Sequence, residues 1–352
     1  MDFRDHEINR SWTDGEKVEL LRLMSRVRRF EQACLKLYQS GRINGWLNLS
    51  IGQESIAATV RGLMGPLDHS ISGTRGIGHA IAAGIPLFRC AAELMGLKSG
   101  CSKGKGGMHS FYDPGCHHWG CHAIAAAQTP LAAGLAFALK QRGERGAVLC
   151  FLGDGAVNQG VYHESLNLSA LFELPVVYVI ENNGFSMGTS VDRSSRFTGS
   201  LAKRAEAYGI RWDRFTDQDP YEIRARLHPV LERARNEHLP SVIEIETCRY
   251  HGFTVSDANH WLYQSKAFVK ERMTERDPLS LWRNHLMESG VLDEPGVERL
   301  NAEIANEMLN SMISARHGEF PTTEDLLHDV YWESDQQTPA SGIGTHFFGD
   351  PW

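Results

Sequence analysis

Two short polar motifs in the middle of the chain combine residue types that can hold a divalent cation and a phosphate group. Gly153-Asp154-Gly155 and Asn182-Asn183 each follow an apolar run, with about 26 residues between them. Carboxylate, amide and carbonyl oxygens are ligands that suit Mg²⁺ or Ca²⁺ rather than zinc. The two glycines allow the backbone to turn sharply and to approach a phosphate closely. The pattern therefore predicts a site for a metal ion and a diphosphate.

The apolar runs before these motifs are typical of buried strands. Residues 147–152 (AVLCFL) and 175–180 (PVVYVI) are apolar throughout, and residues 157–171 between them have helical spacing. Such a strand–helix–strand unit is right-handed and parallel, so the carboxyl ends of both strands lie at one edge of the sheet, where open α/β sheets bind ligands. The helix would direct its first N–H groups toward the same edge. We therefore expect Asp154 and Asn183 to lie close together.

The remaining sequence predicts further elements of an α/β architecture. A helix at about 220–237 leads into a third buried strand at 241–247, and residues 259–330 are predicted to be mainly helical. Other helices are predicted at about 16–40, 53–64, 86–96 and 130–141. The alternation favours a doubly wound, mainly parallel sheet with helices on both faces and helical N- and C-terminal extensions. We expect residues 1–330 to form a single domain, followed by a polar tail over 331–352.

The composition excludes several classes of protein. The chain has 352 residues and a net charge of −7, with a pI near 6.1, so no basic field attracts nucleic acid or an anionic membrane. The longest strongly apolar run, residues 174–180, is too short to span a bilayer. The N-terminus has no apolar secretory core, and seven scattered cysteines do not suggest a disulfide framework. We expect a reduced, cytoplasmic protein.

The segment GDGAVNQGVYHESLNLSALFELPVVYVIENNGFSMGTS gives these motifs a family context. It resembles the alpha chain of the decarboxylating component of 2-oxo acid dehydrogenase complexes, a family that includes the pyruvate, branched-chain and acetoin dehydrogenases. The resemblance extends over roughly residues 18–330 and includes RRFEQACLKLYQSGRINGWLNLSIGQES, SGTRGIGHAIAAG, GCSKGKGGMHSFYD, HAIAAAQTPLAAGLAFA and CRYHGFTVSD. It implies a thiamine diphosphate-binding fold, the cofactors thiamine diphosphate and Mg²⁺, and decarboxylation of a small, pyruvate-like 2-oxo acid.

The resemblance also implies roles for individual residues. Asp154, the side chain of Asn183 and the main-chain oxygen of Phe185 would bind Mg²⁺, Arg75 would neutralise the diphosphate, and residues 122–128 would contact the aminopyrimidine end. The full set of residues implied to bind the cofactor is Thr74, Arg75, Ile124, Ala126, Gly153, Asp154, Gly155, Ala156, Asn183, Phe185 and His251. The candidate catalytic side chains are Asn48, His69, His122 and His251.

The resemblance implies a shared active site. Bound thiamine diphosphate would act as the electron sink for loss of carbon dioxide, while the protein binds, orients and excludes water. In this family the glutamate that helps to ionise the thiazolium comes from a beta chain, so Glu54 is not our candidate for it. We expect activity only with a beta-type partner, as two alpha and two beta chains, with a lipoyl-domain acyltransferase as a possible acyl acceptor.

Four positions depart from the family pattern. Asn48 and Phe253 stand where relatives carry histidines, Thr74 replaces a tyrosine or histidine, and Ile77 replaces another histidine. Asparagine, isoleucine and phenylalanine cannot shuttle protons near neutral pH. The changes are either tolerated drift or a sign of a different substrate or acyl acceptor. Cofactor binding is affected less, because Arg75, Asp154 and Asn183 are present.

Other interpretations stay open at this point. The main rival is a thiamine diphosphate-dependent acyloin or carbon–carbon lyase or ligase with a non-lipoyl acceptor, and another is a non-catalytic cofactor-binding chain. The loop over residues 100–107 has the wrong spacing for a nucleotide P-loop, and we expect Lys103 and Lys105 to be solvated. The Cys and His residues at 116–122 offer a weak alternative as a zinc site.

Overall fold

The computed structural model describes residues 2–196 and 199–329. Its strands are β1 (His69–Ser72), β2 (His118–Cys121), β3 (Val148–Gly153), β4 (Val176–Asn182), β5 (Phe185–Ser186), β6 (Thr189–Ser190), β7 (Arg211–Thr216) and β8 (Ser241–Glu246). Six of them form one parallel sheet in the order β2-β1-β3-β4-β8-β7. The short strands β5 and β6 form a separate antiparallel ribbon directly after β4.

The helices surround this sheet and extend beyond it at both ends of the chain. They are α1 (Glu7–Arg10), α2 (Asp14–Gln39), α3 (Glu54–Arg61), α4 (Ile77–Ala83), α5 (Leu87–Leu94), α6 (Gln128–Arg142), α7 (Gly160–Leu171), α8 (Val191–Ser194), α9 (Pro220–Glu237), α10 (Lys266–Glu275), α11 (Pro278–Glu288) and α12 (Glu294–Arg316). The described part of the chain contains no helix long and apolar enough to span a lipid bilayer.

The sheet is buried on both faces because its central strands β3 and β4 are mainly apolar. In β3, Cys150 and Leu152 pack with α6 and α7, whereas Leu149 and Phe151 point to the other face and pack with α3 and α9. The residues of β4 alternate in the same way, and all seven are buried. Burial on both faces is the arrangement expected of a parallel sheet. The predicted doubly wound α/β fold with helical extensions is confirmed.

The sequence located some elements better than others. β3, β4 and β8 and the helices α2, α3, α5, α6 and α9 lie where they were predicted within a few residues. The helix predicted from residue 157 begins at Gly160, because a 3₁₀ turn over Ala156–Asn158 comes first. β1, β2 and β7 were not predicted. The single domain over residues 1–330 stays a prediction, and the predicted polar tail at 331–352 lies outside the described residues.

The glycine-rich loop over residues 100–107 is wound around the side chain of Glu93. The Glu93 carboxylate is fully buried. Its Oε2 accepts hydrogen bonds from the N–H groups of Ser102 and Gly104 at 2.8 and 2.9 Å. Its Oε1 accepts from Gly106 and Gly107, both at 3.0 Å. One carboxylate therefore fixes the path of the loop, as a charged acceptor can do for several backbone donors.

The two lysines of this loop are exposed, as predicted, and they also form ion pairs on the surface. Lys103 and Lys105 form ion pairs with Asp329 at 2.7 and 3.1 Å. The C-terminal segment is also attached beside the loop, since the N–H of Lys98 donates to the carbonyl of Glu319 at 2.8 Å. The end of the described chain therefore lies against the outside of the loop.

We expect the substitution Glu93→Gln to lower the free energy of unfolding by about 3 kcal/mol. Glutamine keeps one acceptor oxygen but turns an NH₂ group toward two backbone N–H groups, which leaves buried donors without partners. Urea unfolding followed by circular dichroism measures the change. Glu288→Gln, at an exposed position at the end of α11, is the matched control and should change stability by less than about 0.5 kcal/mol. Equal effects of the two substitutions would contradict the role of Glu93.

Candidate functional site

A cavity of about 310 Å³ opens at the carboxyl edge of the sheet, where β3 and β4 end side by side. Gly153 at the end of β3 is in register with Glu181 of β4, so Asp154 and Asn183 follow neighbouring strand ends. Ten of the residues predicted to bind the cofactor line this cavity: Thr74, Arg75, Ile124, Ala126, Gly153, Asp154, Gly155, Ala156, Asn183 and Phe185. They come from four separate stretches of the sequence, which the parallel sheet brings together.

Asp154 has the properties expected of a cation ligand. Its side chain is buried, and its Oδ2 has no hydrogen-bond partner among the described residues. Burial raises the pKa of Asp154 to about 6, partly opposed by hydrogen bonds from backbone N–H groups and by the nearby charges of Arg249 and Arg75. An unpaired buried carboxylate is costly unless a cation or a proton balances it. The site therefore fits a divalent ion bound at this oxygen.

The two asparagines after β4 have different surroundings. The Nδ2 of Asn182 donates to Glu244 at 2.7 Å, and its Oδ1 accepts from the N–H of Gly184 at 2.9 Å. Glu244 is fully buried and also accepts from the backbone N–H of Leu201 at 2.7 Å. Asn182 therefore shapes the turn. Asn183 lines the cavity, and within the described part of the chain its side chain accepts one long hydrogen bond, 3.3 Å, from the N–H of Phe185.

The backbone around the cavity is closely packed at Gly155. A Cβ atom at this position would overlap both the hydroxyl group and the Cβ of Ser186, the second residue of β5. On the other side of the cavity, Ala126 has a φ of 64°, a left-handed conformation that is uncommon for a residue with a side chain. Such conformations persist only where the surrounding structure holds them, and they concentrate at functional sites.

Two arginines give the cavity a positive field. Arg75 lines the cavity, and its guanidinium donates to the carbonyls of Leu49 and Phe253. Burial and the charge of Arg249 lower the pKa of Arg75 to about 10, so it is still protonated at neutral pH. Arg249 is fully buried and donates to the carbonyl of Met187 at 2.7 Å. Arg249 does not line the cavity, but its charge acts on Asp154, so a diphosphate would meet Arg75 directly and Arg249 only through its field.

Two of the candidate catalytic residues are not at the cavity. His69 is the first residue of β1 and is in register with Val148 of β3. Val148 precedes Asp154 by six residues, so His69 and Asp154 are separated by about 20 Å along the strand direction. It stacks on His117 and accepts a hydrogen bond from Trp119, at the amino edge of the sheet. Asn48 is fully buried, and its Nδ2 donates to the carbonyl of Phe253 at 2.6 Å. His69 therefore lies away from the cavity, contrary to its predicted catalytic role, while the role of Asn48 stays a prediction.

The other two candidate histidines lie nearer to the cavity, although they are not among the residues that line it. His122 directly follows β2, its N–H donates to the carbonyl of Ser72 at 3.1 Å, and burial lowers its pKa. The carbonyl of His251 accepts a hydrogen bond from Arg249 at 3.2 Å. Burial and the charges of His260 and Arg75 lower the pKa of His251, so it is mainly neutral at pH 7. Their predicted roles stay predictions.

The cavity also includes polar residues that the sequence analysis did not assign. Gln53 and Gln128 line it, and each has a buried Oε1 without a hydrogen-bond partner in the described structure. Glu181 lines it as well, and its Oε1 lies 3.0 Å from Nε2 of buried His79. Each residue stands inside or beside a motif quoted above, but its direction toward the cavity depends on the fold.

The weak alternative of a zinc site is not supported. Within residues 2–196 and 199–329, no group of three or more His, Cys, Asp or Glu residues is placed to hold a metal ion. His118 bonds to Ser70, and burial lowers its pKa to about 3. Burial raises the pKa of the Cys121 thiol, which disfavours the thiolate that zinc requires.

Comparison with known proteins adds an independent result. Residues 22–324 match the family model described as the dehydrogenase E1 component. The chain is 37% identical over 316 residues to the pyruvate dehydrogenase E1 component subunit alpha of Rickettsia bellii, covering 90% of this chain and 96% of the relative. The corresponding subunit of Rhizobium meliloti is 34% identical over 315 residues, with 90% of each chain covered. The mitochondrial alpha-1 subunit of Oryza sativa subsp. japonica is 33% identical over 337 residues, covering 96% of this chain and 83% of the relative.

We expect Gly155→Ala to destabilise the protein by about 1–3 kcal/mol, because its methyl group must displace Ser186 in a packed turn. Ser186→Gly removes both atoms that the methyl group would meet. In the Ser186→Gly background, Gly155→Ala should therefore lower the free energy of unfolding much less than it does in the wild-type protein. Free energies of unfolding for the four proteins of this cycle measure the coupling. Additive effects would show that Gly155 and Ser186 are not in close contact.

Proposed function

Because the chain belongs to the dehydrogenase E1 component family, we propose that it is the alpha subunit of a two-subunit enzyme that uses thiamine diphosphate and Mg²⁺ to decarboxylate a small, pyruvate-like 2-oxo acid. The observation that carries the proposal is the unpartnered carboxylate oxygen of Asp154 in a cavity between two parallel strand ends. A divalent ion at this oxygen would hold a diphosphate against Gly153, Gly155 and Ala156.

The proposed metal ligands are Asp154, Asn183 and the main-chain oxygen of Phe185. Mg²⁺ commonly takes few protein ligands and completes its shell with phosphate oxygens and water. The positions of these three residues around one cavity support the assignment. The fixed position of Asn182 supports it further, because its bonds to Glu244 and Gly184 hold the turn that presents Asn183.

The other residues of the chain would bind and orient the cofactor. Arg75 and Arg249 would offset the negative charge of the diphosphate, while Thr74, Ile124, Ala126 and His251 would contact other parts of the cofactor or its phosphates. The bound cofactor would supply the electron sink for loss of carbon dioxide. The contribution of this chain is binding, orientation and exclusion of water from the cavity.

We infer that a beta-type subunit completes the site, as two alpha and two beta chains. Exposed apolar side chains on α6 and α7 support an assembly with another chain. α6 directly follows the segment that places Ile124 and Ala126 at the cavity. The exposed side chains are Leu131, Phe137, Leu168, Leu171 and Phe172. The beta chain would supply the glutamate that acts on the aminopyrimidine, and a lipoyl-domain acyltransferase would accept the acyl unit.

The alternatives receive less support. The relatives described above all carry the name of a pyruvate dehydrogenase component, which does not favour an acyloin lyase or ligase. A complete set of cation and diphosphate residues argues against a chain that has lost cofactor binding. The cytoplasmic location stays a prediction, because one relative is described as mitochondrial.

Asp154→Asn should weaken Mg²⁺-dependent binding of thiamine diphosphate at least about 100-fold, because it removes the anionic ligand from the ion. Calorimetric titration of the alpha–beta complex with cofactor, with and without Mg²⁺, measures the change. Asp14→Asn, at an exposed position at the start of α2, is the control and should leave the affinity unchanged. Equal affinity in the Asp154→Asn and wild-type complexes would remove the central assignment.

The acyl acceptor can be determined separately. We expect the cofactor-loaded complex to acetylate a lipoyl domain reductively when it is given pyruvate. Mass spectrometry of the lipoyl domain detects the product, and gas chromatography of the same mixture detects any acyloin formed with an added aldehyde. An acyloin product with an unmodified lipoyl domain would support the lyase or ligase alternative instead.

A further inference from the structure

Asn48 joins three segments of the chain close to the cavity. Its N–H donates to the sulfur of Met108 at 3.0 Å, and its Nδ2 donates to the carbonyl of Phe253 at 2.6 Å. Phe253 and Arg75 line the cavity, whereas Asn48 is fully buried and is not among the lining residues of the described structure. We propose, on the basis of the proposed function, that Asn48 is a positioning residue that orients the guanidinium of Arg75 toward the diphosphate.

The guanidinium of Arg75 is bonded to two backbone carbonyls that Asn48 helps to place. Its Nη1 donates to the carbonyl of Leu49, the residue that follows Asn48 in the chain. Its Nη2 donates to the carbonyl of Phe253 at 3.3 Å, and this is the same oxygen that accepts from Asn48. An arginine has further N–H donors that these two bonds do not use, and they can bond to a phosphate.

The shared carbonyl of Phe253 is where Asn48 can act on Arg75. Asn48 bonds to this oxygen at a short distance, while the bond from Arg75 is long and therefore weak. Without the amide of Asn48, the oxygen would be available to the charged guanidinium, which forms stronger hydrogen bonds than an amide does. The guanidinium would then turn toward Phe253 and away from the diphosphate.

Stability alone does not account for an asparagine at this position. The Oδ1 of Asn48 is buried and has no hydrogen-bond partner among the described residues, and a buried polar atom in this state lowers stability. A leucine of nearly the same shape would avoid this cost. An asparagine side chain also has no group that titrates near neutral pH. The effect of Asn48 should therefore fall on cofactor binding rather than on proton transfer.

The test uses the alpha–beta complex and the substitution Asn48→Leu, which removes the hydrogen bond and keeps nearly the same side-chain shape. Calorimetric titration with thiamine diphosphate at saturating Mg²⁺ measures the affinity. We expect it to fall about tenfold, the effect of one weakened hydrogen bond to a charged group. The midpoint of urea unfolding should stay the same or rise, because leucine removes the unpartnered oxygen. Such a loss of affinity without a loss of stability distinguishes positioning from a general structural role.

A double-mutant cycle shows whether Asn48 acts through Arg75. Arg75→Lys keeps the positive charge but lacks the planar group that bonds to both carbonyls. In the Arg75→Lys background, Asn48→Leu should change the affinity for thiamine diphosphate by less than about twofold. Equal changes in the two backgrounds would show that the two residues act independently, and this result would overturn the proposal.

Asn9 provides a matched control away from the cavity. It is a buried asparagine whose Nδ2 donates to the carbonyls of Phe3 and Tyr221, both at 2.8 Å, and whose Oδ1 accepts from Arg224 at 3.2 Å. Asn9→Leu should lower the midpoint of urea unfolding, because it breaks these bonds, and should leave the affinity for the cofactor unchanged. An equal loss of affinity in the Asn9→Leu and Asn48→Leu complexes would overturn the positioning role.

A second substitution separates the hydrogen bond from packing. Asn48→Ala leaves a smaller side chain than Asn48→Leu but removes the same bond, so both should weaken cofactor binding to a similar extent. Unchanged affinity in both complexes, or loss of folding in both, would overturn the proposal while leaving the proposed function intact. A wild-type complex that does not bind thiamine diphosphate in the presence of Mg²⁺ would overturn the proposed function, and the positioning role with it.

Discussion

One oxygen of the Asp154 carboxylate is enclosed by the protein without a partner in its described parts, and the rest of the site is arranged around this oxygen. Burial raises the pKa of the group from 3.8 to about 6, which corresponds to roughly 3 kcal/mol against the charged form. A divalent ion removes this penalty because it favours the carboxylate over the acid. The neighbouring structure shapes the cavity beside this carboxylate, since Gly155 allows Ser186 to pack closely and Glu244 holds the turn at Asn182.

The elements that could be predicted are those in which a short stretch of sequence has the apolar pattern of a buried strand or helix. β3 and most of β4 are apolar on both faces, β8 contains the apolar residues Val242, Ile243 and Ile245, and the longer helices have a clear apolar period, so local pattern was sufficient. β1 and β2, with the sequences HSIS and HWGC, are four residues long and contain polar residues that pair inside the protein, as Ser70 does with His118. β7 lies at the edge of the sheet and carries Arg211, Asp213 and Arg214, so it lacks the apolar pattern of a central strand.

In the site, too, the residues that could be predicted are those with a clear signal in the neighbouring sequence. Asp154, Gly155 and Asn183 could be predicted because each follows a recognisable strand, and the direction of that strand fixes the edge of the sheet. His69 lies at the other edge of the sheet from the cavity, because the short strand β1 separates the two edges. Arg249 and Gln128 belong to the site through contacts over long sequence separations, which no local pattern reports. The burial of Asn48 behind Phe253 depends on the meeting of two distant loops.

Three buried glutamates of this chain bear on the proposed need for a beta-type partner. Glu54 forms an ion pair with Arg28, and Glu181 lies 3.0 Å from the ring of His79. Glu31 accepts hydrogen bonds from the N–H and hydroxyl groups of Ser50 at 2.9 and 2.5 Å, and burial raises its pKa to about 8, so it is mainly uncharged at pH 7. A glutamate that acts on an aminopyrimidine must reach the cofactor, and of these three only Glu181 lines the cavity, where its Oε1 is paired with His79. On the proposed function, this chain would hold the metal and the diphosphate, and the beta-type subunit would supply the activating carboxylate.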